Sequence, residues 1–144
     1  MRLSPFCLTY EDSLMTRQSV AFFLTLSFSA LSFSAPQFLI SHNQTLYQST
    51  AYVDGKISLP NTIEPLSDTT TSWITLKRLC FGRSLSSRCP IIIKMGTDTG
   101  YPFDLGLIYI DLNSGAITPN QLSFNNVVLR VNNNGELTLS SKKP

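Results

Sequence analysis

The chain has one histidine among 144 residues, three cysteines and a single tryptophan, and only 14% of its residues are charged. A lone imidazole removes most histidine-based catalysis and most transition-metal sites, which need several ligands brought together. Eleven Lys and Arg against nine Asp and Glu give a formal net charge of +2. That balance excludes the polybasic footprint of a nucleic-acid binder. No cofactor and no metal are expected. What remains is 42% hydrophobic, too apolar for a disordered chain, at a length that allows one domain.

The one long apolar run is Val20–Phe33, VAFFLTLSFSALSF. It is uncharged, yet shorter than the ~20 residues that cross a bilayer. Arg17 precedes it, and Ser32, Ser34 and Ala35 follow, then Pro36. A basic lead, an apolar middle and a small-residue exit describe a cleavable signal-peptide helix over residues 15–34. Cutting after Ser34 puts small Ser32 at the −3 position. Cutting after Ala35 would put bulky Phe33 there and Pro36 just past the bond. Residues 1–14 carry Glu11 and Asp12, which suit no signal lead, so Met15 reads as the true start and 1–14 as a gene-start extension. The expected destination is the periplasm or the medium, with no stable membrane span after cleavage.

Without the leader roughly 109 residues remain as a single domain, 35–144, holding Cys80 and Cys89. An even count in an exported chain reads as a disulfide. The closed loop is short, and the chain-entropy model gives it about 2.5–3 kcal/mol. A redox pair would favour Cys-x-x-Cys, and zinc would need four ligands.

Strand chemistry then runs almost without break over 37–41, 46–53, 56–59, 72–80, 91–96, 106–112, 115–118, 127–132 and 135–140. Asp54-Gly55 is a hairpin signal, and Asn113-Ser114-Gly115 and Asn132-Asn133-Asn134-Gly135 join two further pairs. Alternation puts Val127, Leu129 and Val131 on one face, Leu137 and Leu139 on another, and Ile108, Ile110 and Leu112 on a third. On a strand over 72–80, Ile74, Leu76 and Cys80 would point together. Polar Asn61–Thr71 reads as a crossing between sheets. No sustained helical period follows residue 36. The expected fold is all-β, an antiparallel two-sheet β-sandwich, with a small barrel as the alternative.

Candidate chemistry is sparse. Asp98-Thr99-Gly100 has the composition of an aspartic-protease motif, but Gly96-Thr97 precede it where an apolar strand belongs, so it reads as a surface turn. Asp98, Asp104 and Asp111 are spaced too widely for a calcium loop. His42 reads as a bystander or hydrogen-bonding residue near a frayed terminus. Asn43-Gln44-Thr45 matches a glycosylation pattern and carries no weight without a known source. Trp73 reads as core. No catalytic residue is assigned.

The better signal is the disulfide-closed loop 81–88, where Phe81, Arg83, Leu85 and Arg88 are the candidate interaction residues. A pinned loop loses little freedom on binding, and Arg and aromatic side chains are favoured anchors. Tyr101 and Phe103 form a second candidate surface.

The leader, Ser72-Trp73, the Cys80/Cys89 pair, Asp104-Leu105-Gly106 and Ile117-Thr118-Pro119 together resemble small uncharacterised exported β-proteins of gamma-proteobacteria. The resemblance implies an envelope or secreted destination and brings no catalytic residues. The expected function is a non-enzymatic binding module for a protein or glycan partner in the envelope or on a host surface. The alternatives are an enzyme inhibitor acting through loop 81–88, a small hydrolase using Asp98 and Asp104, and assembly by strand exchange at open sheet edges.

Overall fold

Three turns set the strand pairing, and each depends on residues that tolerate positive φ. Asp54 and Gly55 have φ of 51° and 66°, Gly115 has 81° and Gly135 has 70°, all in the left-handed region that β-hairpin turns require. A fourth turn, Asn125-Asn126, has φ of 46° and 62° and joins two strands in the same way.

The computed structural model describes residues 34–143. Apart from Ser34, the expected signal peptide lies outside the described residues, as do the 1–14 extension and Cys7. In chain order the elements are β1 (Phe38–Asn43), β2 (Ser49–Val53), β3 (Ile57–Ser58), β4 (Ser67–Ser72) and α1 (Trp73–Cys80), followed by β5 (Arg88–Met95), β6 (Phe103–Asp111), β7 (Ile117–Thr118), β8 (Gln121–Phe124), β9 (Val127–Asn133) and β10 (Glu136–Ser141). They form two five-stranded sheets, ordered β4-β1-β10-β9-β8 and β3-β2-β5-β6-β7. The architecture is the expected β-sandwich, and neither sheet closes into a barrel.

The inner faces follow the alternation. Leu129, Leu137, Leu139, Ile108 and Ile110 are buried, as are Ile91, Ile93 and Met95 from β5. Space between the sheets near Leu39, Ser41, Thr71, Ile91 and Leu137 amounts to about 10 Å³, room for about one water. That space has no room for a ligand larger than a water.

Three expectations need correction. Residues 73–80 form a helix, not a strand, and the inward set is Trp73, Leu76 and Cys80 while Ile74 faces solvent. Spacings of three and seven are one face of a helix, and the indole Nε1 of Trp73 donates to the Leu112 carbonyl at 3.1 Å. Second, Asn61–Thr71 does cross from one sheet to the other, but its last five residues belong to strand β4, where half-buried Thr69 and buried Thr71 alternate with exposed Asp68 and Thr70. Third, the pairing is not wholly antiparallel. β1 runs parallel to β10, with Ile40 opposite Glu136 and Asn43 opposite Leu139.

Asn43, at the end of β1, is buried and fully used. Its Nδ2 donates to the carbonyls of Tyr47 at 2.7 Å, Glu64 at 3.1 Å and Ile63 at 3.3 Å. Its Oδ1 accepts from the Thr45 backbone N–H at 3.0 Å and hydroxyl at 2.7 Å. Such a side chain has no amide free for a glycan, and it knots the 44–47 and 63–64 loops together. Asn43→Ala strands several buried donors and acceptors at once, and should cost about 3 kcal/mol of unfolding free energy, read as a lowered urea midpoint of the oxidised protein.

Candidate interaction surface

Cys80 ends α1 and Cys89 is the second residue of β5. The two are bonded, with Cα atoms 5.7 Å apart, and both are fully buried. The expected disulfide is therefore present, and it ties the helix to the second sheet.

The chain between the cysteines is held by several backbone hydrogen bonds. The N–H groups of Arg83 and Ser84 donate to the Cys80 carbonyl at 2.9 and 3.0 Å. Leu85 and Arg88 exchange both backbone bonds, at 3.1 and 2.9 Å, around a two-residue turn in which Ser86 and Ser87 have φ of 50° and 63°. The Ser87 carbonyl then accepts from the Leu112 N–H at 2.8 Å, and its hydroxyl oxygen from Asn113 Nδ2 at 3.1 Å. The loop is a stapled hairpin with its backbone already ordered.

The candidate loop residues divide into two groups. Phe81 and Leu85 are 82% and 83% exposed, and Arg83 is exposed beside them. Arg88 is committed elsewhere: its guanidinium stacks 5.0 Å over the Tyr109 ring and donates to the Thr118 hydroxyl at 2.8 Å. Reasoning from sequence missed the residues that join Phe81. The outer face of α1 presents Ile74, 64% exposed, with Lys77 and Arg78, and these three line one shallow depression with Phe81. The positions 74, 77, 78 and 81 share a helical face, a signal hidden as long as the segment is read as a strand.

Charge is segregated along this part of the chain, although Asp111 of β6 is the cross-strand partner of Arg88 at the base of the hairpin. From Thr69 to Thr97 the chain carries Lys77, Arg78, Arg83, Arg88 and Lys94 and no acidic residue. Lys94 is paired with Asp104 at 3.5 Å. Lys77, Arg78 and Arg83 make no ion pair among the described residues.

The second candidate surface also divides. Tyr101 is 91% exposed. Phe103 is half-buried, edge-on to Tyr47 at 5.9 Å and tilted against Phe124 at 6.0 Å. It belongs to an aromatic cluster at one end of the sandwich.

The remaining candidates are apart from one another. Asp98-Thr99-Gly100 is a turn, in which the Thr99 N–H and hydroxyl both donate to the Gly96 carbonyl. Asp111 accepts from the N–H groups of Ser114 and Asn113, which hold its carboxyl below its ordinary value. Asp104 lies seven positions back along β6, about 23 Å at the rise of a strand. No group of three or more His, Cys, Asp or Glu side chains that could hold a metal exists among the described residues.

His42 is not at a frayed end. It sits on β1, between β4 and β10, with Nδ1 2.8 Å from Asp68 Oδ1 and Nε2 2.8 Å from Glu136 Oε1. The hydrogen bonds to Asp68 and then to Glu136 raise its pKa above the ordinary 6.5. Glu136 is lowered, first by Asn133 and then by His42. A raised pKa in the folded state means that the clasp contributes most below the unfolded value and fades as pH rises through the folded one. The stability gap between the parent and His42→Ala should therefore be wider at about pH 5.5 than at about pH 9. Equal gaps in urea unfolding at the two pH values would mean that the clasp does not depend on ring charge.

A buried disulfide, two packed sheets and a pre-ordered surface hairpin define an exported β-sandwich protein. A family model described as the type II secretion system (T2SS) substrate NttC matches residues 13–142, and the chain belongs to that family. It is similar to the crystal structure of the Legionella pneumophila type II secretion system substrate NttC, at 36% sequence identity and a TM-score of 0.72, covering 75% of this chain and 100% of that one. A comparison with curated proteins finds no match. Family membership gives the resemblance to gamma-proteobacterial exported proteins a definite form, and it makes the protein an exported one, periplasmic or secreted.

Proposed function

We propose that this protein is a non-enzymatic binding module, released by type II secretion, that docks through the surface made by α1 and the stapled hairpin. The observation that carries this reading is the set of apolar tips Ile74, Phe81 and Leu85 standing in water beside Lys77, Arg78 and Arg83. Ile74 and Phe81 share one open depression with Lys77 and Arg78, and a contiguous apolar patch rimmed by polar groups is the kind that marks an interaction site. The disulfide and the loop's internal hydrogen bonds keep the ordering cost of docking low. A catalytic reading has less support. Both nitrogens of the only histidine face carboxylates, which leaves neither free to take a proton from a nucleophile. Inhibition by insertion into a cleft is also less favoured, because Arg88 is held on Tyr109 and Thr118 rather than at the loop's tip.

The test is binding of labelled, oxidised mature protein to intact cells and isolated envelopes. The triple variant Ile74→Ser, Phe81→Ser, Leu85→Ser should keep its melting temperature within a few degrees and lose about tenfold in binding, the loss expected when about 1.4 kcal/mol of contact is removed. Binding equal to the parent would overturn the assignment of this surface.

A further inference from the structure

We infer that the partner of the α1–hairpin surface is an anionic phospholipid bilayer; this rests on the reading of that surface as a docking site. Shape is the first argument. Ile74, Phe81 and Leu85 are 64%, 82% and 83% exposed, so they project from the surface instead of lining a groove. The depression between Ile74 and Phe81 is shallow and open, with no walls to grip a peptide. Projecting apolar tips need a medium that deforms around them, and the interfacial zone of a bilayer is such a medium.

Charge is the second argument. Lys77, Arg78 and Arg83 are exposed next to those tips, and the chain has no acidic residue between Asp68 and Asp98. Each cation held near an anionic leaflet adds to attraction, over the range of a Debye length. The protein as a whole is only +2, so the attraction is local and orients the molecule with α1 towards the membrane. The helix is eight residues long and lies along the surface without entering the bilayer core. Its ammonium and guanidinium groups sit at headgroup level, where long basic side chains reach water while their stems contact apolar surface.

The experiment is co-sedimentation of oxidised mature protein with large vesicles of phosphatidylcholine alone, or of phosphatidylcholine with about 30% phosphatidylglycerol. The expected result is partitioning at least about tenfold stronger on the anionic vesicles, weakening as salt is raised. Ile74→Ser/Phe81→Ser/Leu85→Ser and Lys77→Glu/Arg78→Glu/Arg83→Glu should each reduce it about tenfold while leaving the melting temperature near that of the parent. A control variant, Arg130→Ala/Lys142→Ala/Lys143→Ala, alters a separate basic depression and should bind anionic vesicles like the parent.

Absence of binding to anionic vesicles overturns the proposal, as does equal binding to both vesicle types or loss of binding in the control variant alone. Cell binding separates the two levels of inference. If the apolar variant loses cell binding while the parent ignores vesicles, the surface docks a protein and only the lipid partner is wrong. If the variant binds both cells and vesicles like the parent, the docking surface itself is wrong.

Discussion

The Cys80–Cys89 bond is the constraint on which the exposed surface depends. A helix of eight residues is too short to persist alone in water. Here its first residue is anchored by the Trp73 indole on the Leu112 carbonyl, its middle by buried Leu76, and its last by a covalent bond to β5. With three inward anchors fixed, the opposite face has no choice but solvent. The hairpin that follows is confined in the same way, because its two ends are held by the bonded cysteines and its tip by Leu112 and Asn113. Ser86 and Ser87 accept left-handed backbone angles there, conformations that cost a residue with a Cβ and persist only where the surroundings impose them.

The two sheets are held by different chemistry. β5 and β6 form an apolar spine in which Ile91, Ile93, Met95, Ile108 and Ile110 are buried. The other sheet relies more on polar connections across β1. His42 reaches Asp68 on β4 and Glu136 on β10, and Asn43 gathers the loops at the strand's end. Since the clasp lies on the outer face, it can lose its charge without emptying the core.

How much of this was legible in the sequence depended on the range of the forces involved. The turns at Asp54-Gly55, Gly115 and Gly135 were readable because positive φ is a local demand that few residues meet. The sandwich itself was readable because period-two burial repeats along each inner strand. Helix α1 was not, since Trp, Ile and Thr favour strands and only tertiary anchors at Trp73, Leu76 and Cys80 override them. β4 was hidden by its polarity: an edge strand of Ser, Asp and Thr looks like a loop until the pairing with β1 is known. The candidate site was half legible for the same reason. Phe81, Arg83 and Leu85 followed from the disulfide loop, whereas Ile74, Lys77 and Arg78 required the helix.

The parallel pairing of β1 with β10 bears on when the chain can acquire its shape. The first strand of the domain has the last strand as its neighbour, and β10 also links β1 to β9. Every shorter length emerging from a ribosome therefore lacks the middle of one sheet. Closing so long a loop is slow, and nothing rewards it until the final residues arrive. That sheet cannot be completed before β10 has been made, so the nascent domain stays pliable until then.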